Sequence, residues 1–360
     1  MIHSYLHGIN NSRFDKDFLF GYNQIIRFAM KNDRVASKRR YPSLYASGEL
    51  QKRTDSLIKR LGACDICPRS CGVNRLDCNS GYCKSGSLVS VASRCAHHGE
   101  EPVLSGTRGS GTIFFSSCNL RCIYCQNSQI SQGHGPYEQV DSRGLAQMML
   151  YLQEELHCHN INLVSPTHYV PQIVEALCQA VPLGLDIPIV YNTNAYDSIK
   201  TLSMLDGIVD IYLPDIKYAS DKWAGKFSDA RRYVEYSRPA IAEMYRQVGN
   251  LITDDKGIAQ RGLIIRHLIL PNRLSGSEES LKWLATALSR DITLSIMAQY
   301  YPCHHAPDEL LLARRITADE YREVVDIMNN LGLESGWLQQ LDSAEHYLPD
   351  FHRQGHPFSL

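Results

Sequence analysis

Cys118, Cys122 and Cys125 stand at the spacing CxxxCxxC in the run Ser-Ser-Cys-Asn-Leu-Arg-Cys-Ile-Tyr-Cys-Gln-Asn, positions 116–127. Three thiolates with no fourth close by can hold three corners of a cubane iron-sulfur cluster and leave one iron without a protein ligand. An open iron implies chemistry at that iron. A ferredoxin-type run, CxxCxxCxxxC followed by proline, fills every corner for electron transfer alone; it is absent here. A structural zinc wants four ligands in a tetrahedron, so Cys95 or His97 would have to complete that alternative.

A second group precedes the first. Cys64, Cys67 and Cys71 read CxxCPRxC and are followed by Cys78 and Cys83, in a stretch broken by Pro68, Gly72, Gly81 and Gly86. So many turn residues build little core, so an inorganic staple is expected: either a second iron-sulfur cluster or a structural zinc. Cys95, Cys158, Cys178 and Cys303 read instead as small buried apolar residues.

The rest of the composition bounds the class. The chain has 360 residues, a formal net charge of -1 and 44% hydrophobic residues, which suits one large globular domain with an appendage. Near-neutrality offers no global field for nucleic acid or an anionic membrane. No secretory signal pattern is visible, and no apolar run approaches the roughly 20 residues of a membrane helix. A cytoplasmic protein is expected, and nine of the twelve cysteines crowd between Cys64 and Cys125, favouring metal or cluster binding over disulfides. Residues 1–60 read as a polar extension with an amphipathic, helix-compatible patch at 18–30, 61–100 as a cysteine-rich metal-binding module, and 101–360 as the main domain with a C-terminal tail.

Short β-branched or aromatic runs at 112–116, 161–165, 187–191, 208–213, 263–270 and 293–297 predict strands. Helical patterns lie between them at 142–157, 170–181, 196–205, 239–248 and 278–288, and a further helix at 318–331 has Thr317 and Glu320 placed as a capping box. Alternation of this kind predicts an α/β fold with a parallel sheet, arranged as a partial (β/α)6 barrel. Chemistry in such sheets collects at the C-terminal strand ends. The CxxxCxxC loop directly follows the first of these strands.

The strand ending Phe115-Ser116-Ser117, the three-cysteine loop with Tyr124 before its last cysteine, and the parallel α/β pattern together resemble the radical S-adenosylmethionine superfamily. Segments 99–102, 105–115, 118–127, 160–169, 190–194, 213–218, 261–272, 297–302, 349–351 and 356–358 are similar to its PflX-like branch, related to pyruvate formate-lyase activating enzymes. The resemblance runs from about residue 60 to the end. It implies a [4Fe-4S] cluster on Cys118, Cys122 and Cys125 whose open iron chelates S-adenosylmethionine. One electron from the reduced cluster then yields a 5'-deoxyadenosyl radical that abstracts hydrogen, with the cofactors carrying the hard chemistry. It also implies Cys64, Cys67, Cys71 and Cys83 as the second ligand set, with Cys78 an extra.

Candidate cofactor contacts follow at the strand ends. Ser165 and Thr167 stand where many radical S-adenosylmethionine enzymes carry Gly-Gly-Glu, a tripeptide this chain lacks; His168 beside them is a candidate proton donor or substrate contact. Asn192 offers paired donors and acceptors. Asp215 and Lys217 resemble the Asp-x-Lys of glycyl-radical activating enzymes, and a period of two places both on one strand face. Arg266 presents a guanidinium able to grip a carboxylate bidentately, with His267 turned toward the helices; Tyr124, Gln299 and Tyr300 are further lining candidates. Glu100 and Glu101 could form an acid/base pair, but their neighbours Gly99 and Pro102 favour a turn, and Gly106, Gly109 and Gly111 read as close backbone packing rather than a phosphate loop.

Three functions remain. The first is a radical enzyme acting on a protein or peptide, such as a glycyl-radical enzyme. The second performs the same cleavage on a small molecule, or installs a peptide modification, with help from an auxiliary cluster. The third is a non-catalytic iron-sulfur or zinc protein for electron transfer or scaffolding, against which the open corner speaks. The implied partners are the substrate protein or peptide and an external one-electron reductant of flavodoxin or ferredoxin type.

Overall fold

A computed structural model describes residues 22–27, 39–77, 79–133, 135–341, 348–353 and 355–358, with 22–27 as backbone; Cys78 lies outside the described residues. Its strands are β1 Tyr22–Arg27, β2 Val89–His97, β3 Ser110–Phe115, β4 Glu138–Val140, β5 Ile161–Val164, β6 Ile189–Thr193, β7 Ile211–Pro214, β8 Ile252–Thr253, β9 Ala259–Leu268, β10 Thr293–Met297 and β11 Gly336–Gln339. They form one mixed sheet in the order β1-β11-β10-β9-β7-β6-β5-β3-β2-β4, with β8 on β9. The run from β3 through β5, β6, β7, β9 and β10 to β11 is parallel throughout, and β1, β2, β4 and β8 are antiparallel to their neighbours. Parallel strands need crossovers, supplied by helices such as Ser142–Glu154, Val170–Ala180, Tyr233–Val248, Ser277–Ala287 and Ala318–Asn330.

Side-chain alternation divides each strand between two environments. Tyr191, Tyr212, Leu263 and Ile265 join the large core beneath the outer helices. Their neighbours Val190, Ile211, Leu213 and Ile264 belong to a second, inner core with Val103, Leu104 and Trp337. The inner face is therefore apolar toward the strand starts, where the short helix Pro102–Ser105, buried at all four residues, fills it. Two residues further along the same faces, the side chains turn polar: Asn192, Asp215 and Arg266. This period of two positions the site.

The six expected strands all exist, with ends shifted by up to four residues, and the capping box at Thr317 and Glu320 forms. Two parts of the sequence behave differently from expectation. The patch at 18–30 contains strand β1 rather than a helix, pairing with β11, and its flanks lie outside the described residues. The segment expected to be a polar extension contributes helix Glu49–Lys59, whose Leu50, Thr54 and Leu57 recur at helical spacing and are buried, packing on helix Val170–Ala180. Gly111 on β3 matches its expected packing role: a Cβ there would stand 2.5 Å from the Asn160 carbonyl oxygen.

Candidate functional site

The CxxxCxxC loop leaves β3 and is clamped by its neighbours' unused backbone groups. Helix Asp221–Ser228 ends with carbonyls that have no intrahelical partner, and two of these accept from the loop: Ser228 O from Arg121 N at 3.0 Å and Phe227 O from Ile123 N at 2.9 Å. Asn119 Nδ2 donates to Tyr196 O at 2.7 Å, and Gln132 Nε2 to Cys122 O at 2.9 Å. The cysteines therefore sit on a fixed rather than a free loop. Burial pushes the Cys118 thiol up to about 11 and Cys125 to about 12, and raises Cys122. Metal binding has to expel those protons.

Cys122 and Cys125 border a cavity of about 190 Å³ whose wall also carries Asn192, Asp215, Lys217 and Arg266. Arg266 is the hub. Its Nε donates to Asp215 Oδ1 at 2.7 Å and its Nη2 to Asn192 Oδ1 at 2.7 Å. Lys217 Nζ lies 2.7 Å from Asp215 Oδ2. Burial alone would raise Asp215, but Arg266 and Lys217 outweigh it and hold the carboxyl below its usual range. Burial likewise pulls Lys217 down, and Asp215 with Cys122 more than restores it. The result is a carboxylate between two cations, with donors left over for an anionic ligand.

Three sulfur donors, room beside them and cations opposite fit an iron-sulfur cluster with an organic co-ligand such as S-adenosylmethionine. Among the described residues, no three His, Cys, Asp or Glu side chains gather closely enough to hold one metal ion. Tyr124 also lines the cavity and its hydroxyl lies 2.7 Å from that of Tyr218. Gln299 lines it too, tied to Gln126 through Gln126 Nε2 to Gln299 O at 3.0 Å. Tyr300 is buried with its hydroxyl on Leu312 O at 2.7 Å. His267 faces the helices, its Nε2 2.9 Å from Ser277 Oγ.

Three expected contacts lie elsewhere. Val164 takes the inward position at the end of β5, so Ser165 after it, at φ 59°, turns out of the cavity. Thr167 joins a buried hydroxyl network, 3.3 Å from Thr193 Oγ1, which in turn donates to Asp197 Oδ2 at 2.6 Å. His168 is carried past the sheet to the other cysteine group, its Nε2 3.1 Å from Ser116 O. Burial lowers it to about 3, and its Nε2 faces a carbonyl that can only accept.

That other group is a separate chamber. Cys64, Cys67, Cys71 and Cys83 border a closed space of about 10 Å³ together with Arg75 and His168. Cys64 N donates to Val73 O at 2.9 Å and Gly72 N to Cys64 O at 3.0 Å, folding the first three cysteines into one turn. Gly81 is required there, since a Cβ would come within 2.8 Å of Cys71 Sγ. The buried Arg75 guanidinium donates to Ser85 O at 2.9 Å, Gly86 O at 2.9 Å and His168 O at 2.8 Å, with Cys64 Sγ 3.9 Å away. Four sulfurs thus line one small space beside a fixed cation, spread wider than a single metal ion needs.

Comparison with known proteins adds a relative and a distant structural likeness. An uncharacterized protein of Methanocaldococcus jannaschii is 27% identical over 282 residues, covering 75% of each chain. Among solved structures, the crystal structure of Streptococcus suis SuiB bound to precursor peptide SuiA superposes with a TM-score of 0.42 at 11% identity, over 64% of this chain and 48% of that one. This chain thus spans about half of SuiB. No family model matches.

The reading from sequence preferred a turn to an acid/base pair at Glu100 and Glu101. Both border the cavity beside Cys122. The signal was the wholly apolar Pro-Val-Leu that follows them, since a turn running into such a plug is carried inward with it. The C-terminal tail also reaches the cavity: Phe358 lines it and stacks on His97 at 4.6 Å between ring centroids. His97 is thereby spoken for, and burial lowers it to about 3.

Proposed function

We propose that this chain is a radical S-adenosylmethionine enzyme built on a partial (β/α)6 barrel. A [4Fe-4S] cluster is held by Cys118, Cys122 and Cys125, and hydrogen is abstracted from a protein or peptide in the manner of a glycyl-radical activating enzyme. When bound, the cluster and S-adenosylmethionine supply the electron transfer and the 5'-deoxyadenosyl radical. The observation that carries the reading is the CxxxCxxC loop at the end of a parallel strand, opening on a cavity with a charged wall. Arg266 and Lys217, anchored by Asp215, bind and orient the methionine carboxylate. Asn192, already on Arg266, fixes the plane of that guanidinium. Tyr124 and Met297 restrict water at the cavity wall. His168 takes no part in the reacting site.

The four-cysteine chamber favours a second version, in which Cys64, Cys67, Cys71 and Cys83 hold an auxiliary cluster or zinc and the product is a peptide modification or an altered small molecule. Anaerobic reconstitution followed by dithionite reduction tests the shared step. 5'-Deoxyadenosine is expected from the native chain and not from Cys122→Ala. A cluster-loaded protein that makes none would overturn both versions.

A further inference from the structure

The cavity wall holds more acid than its bases can satisfy. Glu100, Glu101 and Asp215 face Lys217 and Arg266, and both cations are paired with Asp215. Lys217 Nζ is on Asp215, and Arg266 spends Nε on Asp215 and Nη2 on Asn192. Glu100 faces Arg266 Nη1 at 3.6 Å, too far for a hydrogen bond, and its other side-chain neighbours are Glu101 and Asn162. Glu101 is 1% exposed and its Oε2 has no hydrogen-bond partner. A buried carboxylate oxygen left unpaired is costly, by several kcal/mol where uncompensated. Burial and the neighbouring Glu101 push Glu100 up to about 8, against the pull of Arg266. A group held on the edge of protonation is ready to exchange its proton for another cation.

The pair is also built into a fixed place. The plug helix Pro102–Ser105 begins at Glu101 and is wholly buried, and Ser105 Oγ donates to Glu100 O at 3.2 Å, closing the turn. The carboxylates thus border the same cavity as Cys122 and Cys125, on the side of the apolar plug.

We propose that Glu100 and Glu101 form a recognition site for a primary ammonium group of the substrate. The inference rests on the radical-enzyme reading and names its substrate class: an amine, or a peptide entering with a lysine side chain or amino terminus. An ammonium donates three hydrogen bonds, which suits two adjacent carboxylates with an unpaired oxygen. The proton released from Glu100 passes to solvent. Lys217 and Arg266 keep the anionic group of the cofactor, so adjacent parts of one wall select opposite charges.

Equilibrium dialysis of the reconstituted full chain, saturated with S-adenosylmethionine, tests this with radiolabelled n-butylamine, n-butanol and butyrate. The amine is expected to be retained about tenfold more tightly than the alcohol, a difference of ~1.4 kcal/mol. Glu101→Gln, and separately Glu100→Gln, is expected to erase that preference while 5'-deoxyadenosine formation persists. Equal retention of amine and alcohol, or a preference for butyrate, would overturn the proposal. So would an amine preference seen only without S-adenosylmethionine, which would assign the pair to the cofactor's own cations. If one variant does not fold, the native series and the other variant still decide. Nucleoside formation on the same sample separates the two readings: nucleoside without amine preference sinks the ammonium site alone, and amine preference without nucleoside sinks the radical chemistry alone.

Discussion

The two cysteine groups use the same side chain for opposite architectures. Cys122 and Cys125 open on a cavity of about 190 Å³ with acids and bases around it, whereas Cys64, Cys67, Cys71 and Cys83 close on about 10 Å³ with two arginines and a histidine. An open position beside charged groups admits a ligand and its chemistry; a closed, fully ligated set holds structure or passes electrons. The groups also touch. Arg69, beside Cys67, donates from Nε to Asn119 O at 3.0 Å, and Arg121, beside Cys122, donates from Nη2 to Tyr82 O at 2.8 Å. Both guanidiniums stack on Tyr82, at 3.6 and 4.8 Å from its ring centroid. The closed chamber thus braces the loop of the open one.

The sharpest way to break the comparison is to remove one sulfur from each side. Cys122→Ala is expected to lower 5'-deoxyadenosine by a factor on the order of 10³ or more, since members of one catalytic unit fail together. Cys67→Ala is expected to lower bound metal in the closed chamber and leave iron at the open loop, read by iron and zinc counts on the same preparations. Equal nucleoside loss and complete metal loss in both would mean that the chambers form a single folding unit.

Arg75 probes the closed chamber without touching a sulfur. Replacing it with methionine strands the carbonyls of Ser85 and His168 in a dry interior and leaves Gly86 O with Gln172 Nε2 alone. Breaking a buried charged network in this way costs about 3 kcal/mol, to be measured by urea denaturation of the metal-loaded chain. A loss below about 1 kcal/mol would show that other groups replace those bonds.

Arg266 makes the matching probe of the open cavity. Arg266→Lys keeps the charge and loses the fork that spans Asp215 and Asn192, because an ammonium cannot hold both in one plane. Nucleoside formation is expected to fall about 30-fold, close to 2 kcal/mol, chiefly through a raised KM for S-adenosylmethionine. A fall in kcat alone would move Arg266 from binding to the chemical step.

How much of this was legible from sequence follows from where each signal resides. Ligand spacing is local, so the cysteines of both groups announced themselves. Buried parallel strands leave apolar runs, and their period of two carried Asn192, Asp215 and Arg266 onto one face. The alternation fails where the backbone leaves the extended region: Ser165 at φ 59° ends it, so Thr167 and His168 could not be placed by counting. Glu100 and Glu101 were hidden for another reason. Their burial depends on the inner core closing around Val103 and Leu104, a contact between segments far apart in sequence. Helix Glu49–Lys59 escaped notice because three buried residues among many polar ones make a weak stripe.

The smallest expected effect concerns a region remote from both chambers and so calibrates them. Thr317 Oγ1 accepts from Glu320 N at 3.2 Å, and Glu320 Oε2 accepts from Thr317 N at 2.8 Å. Thr317→Ala removes half of this box and exposes one amide at the start of helix Ala318–Asn330, a loss of about 1 kcal/mol. Because the helix packs on helix Ser277–Ala287 and contributes no residue to the cavity beside Cys122, 5'-deoxyadenosine formation is expected to stay at the native level while the urea midpoint falls. If nucleoside formation falls in step with stability, the losses in Arg75→Met and Arg266→Lys would have to be corrected for general loosening before either is credited to its own chamber.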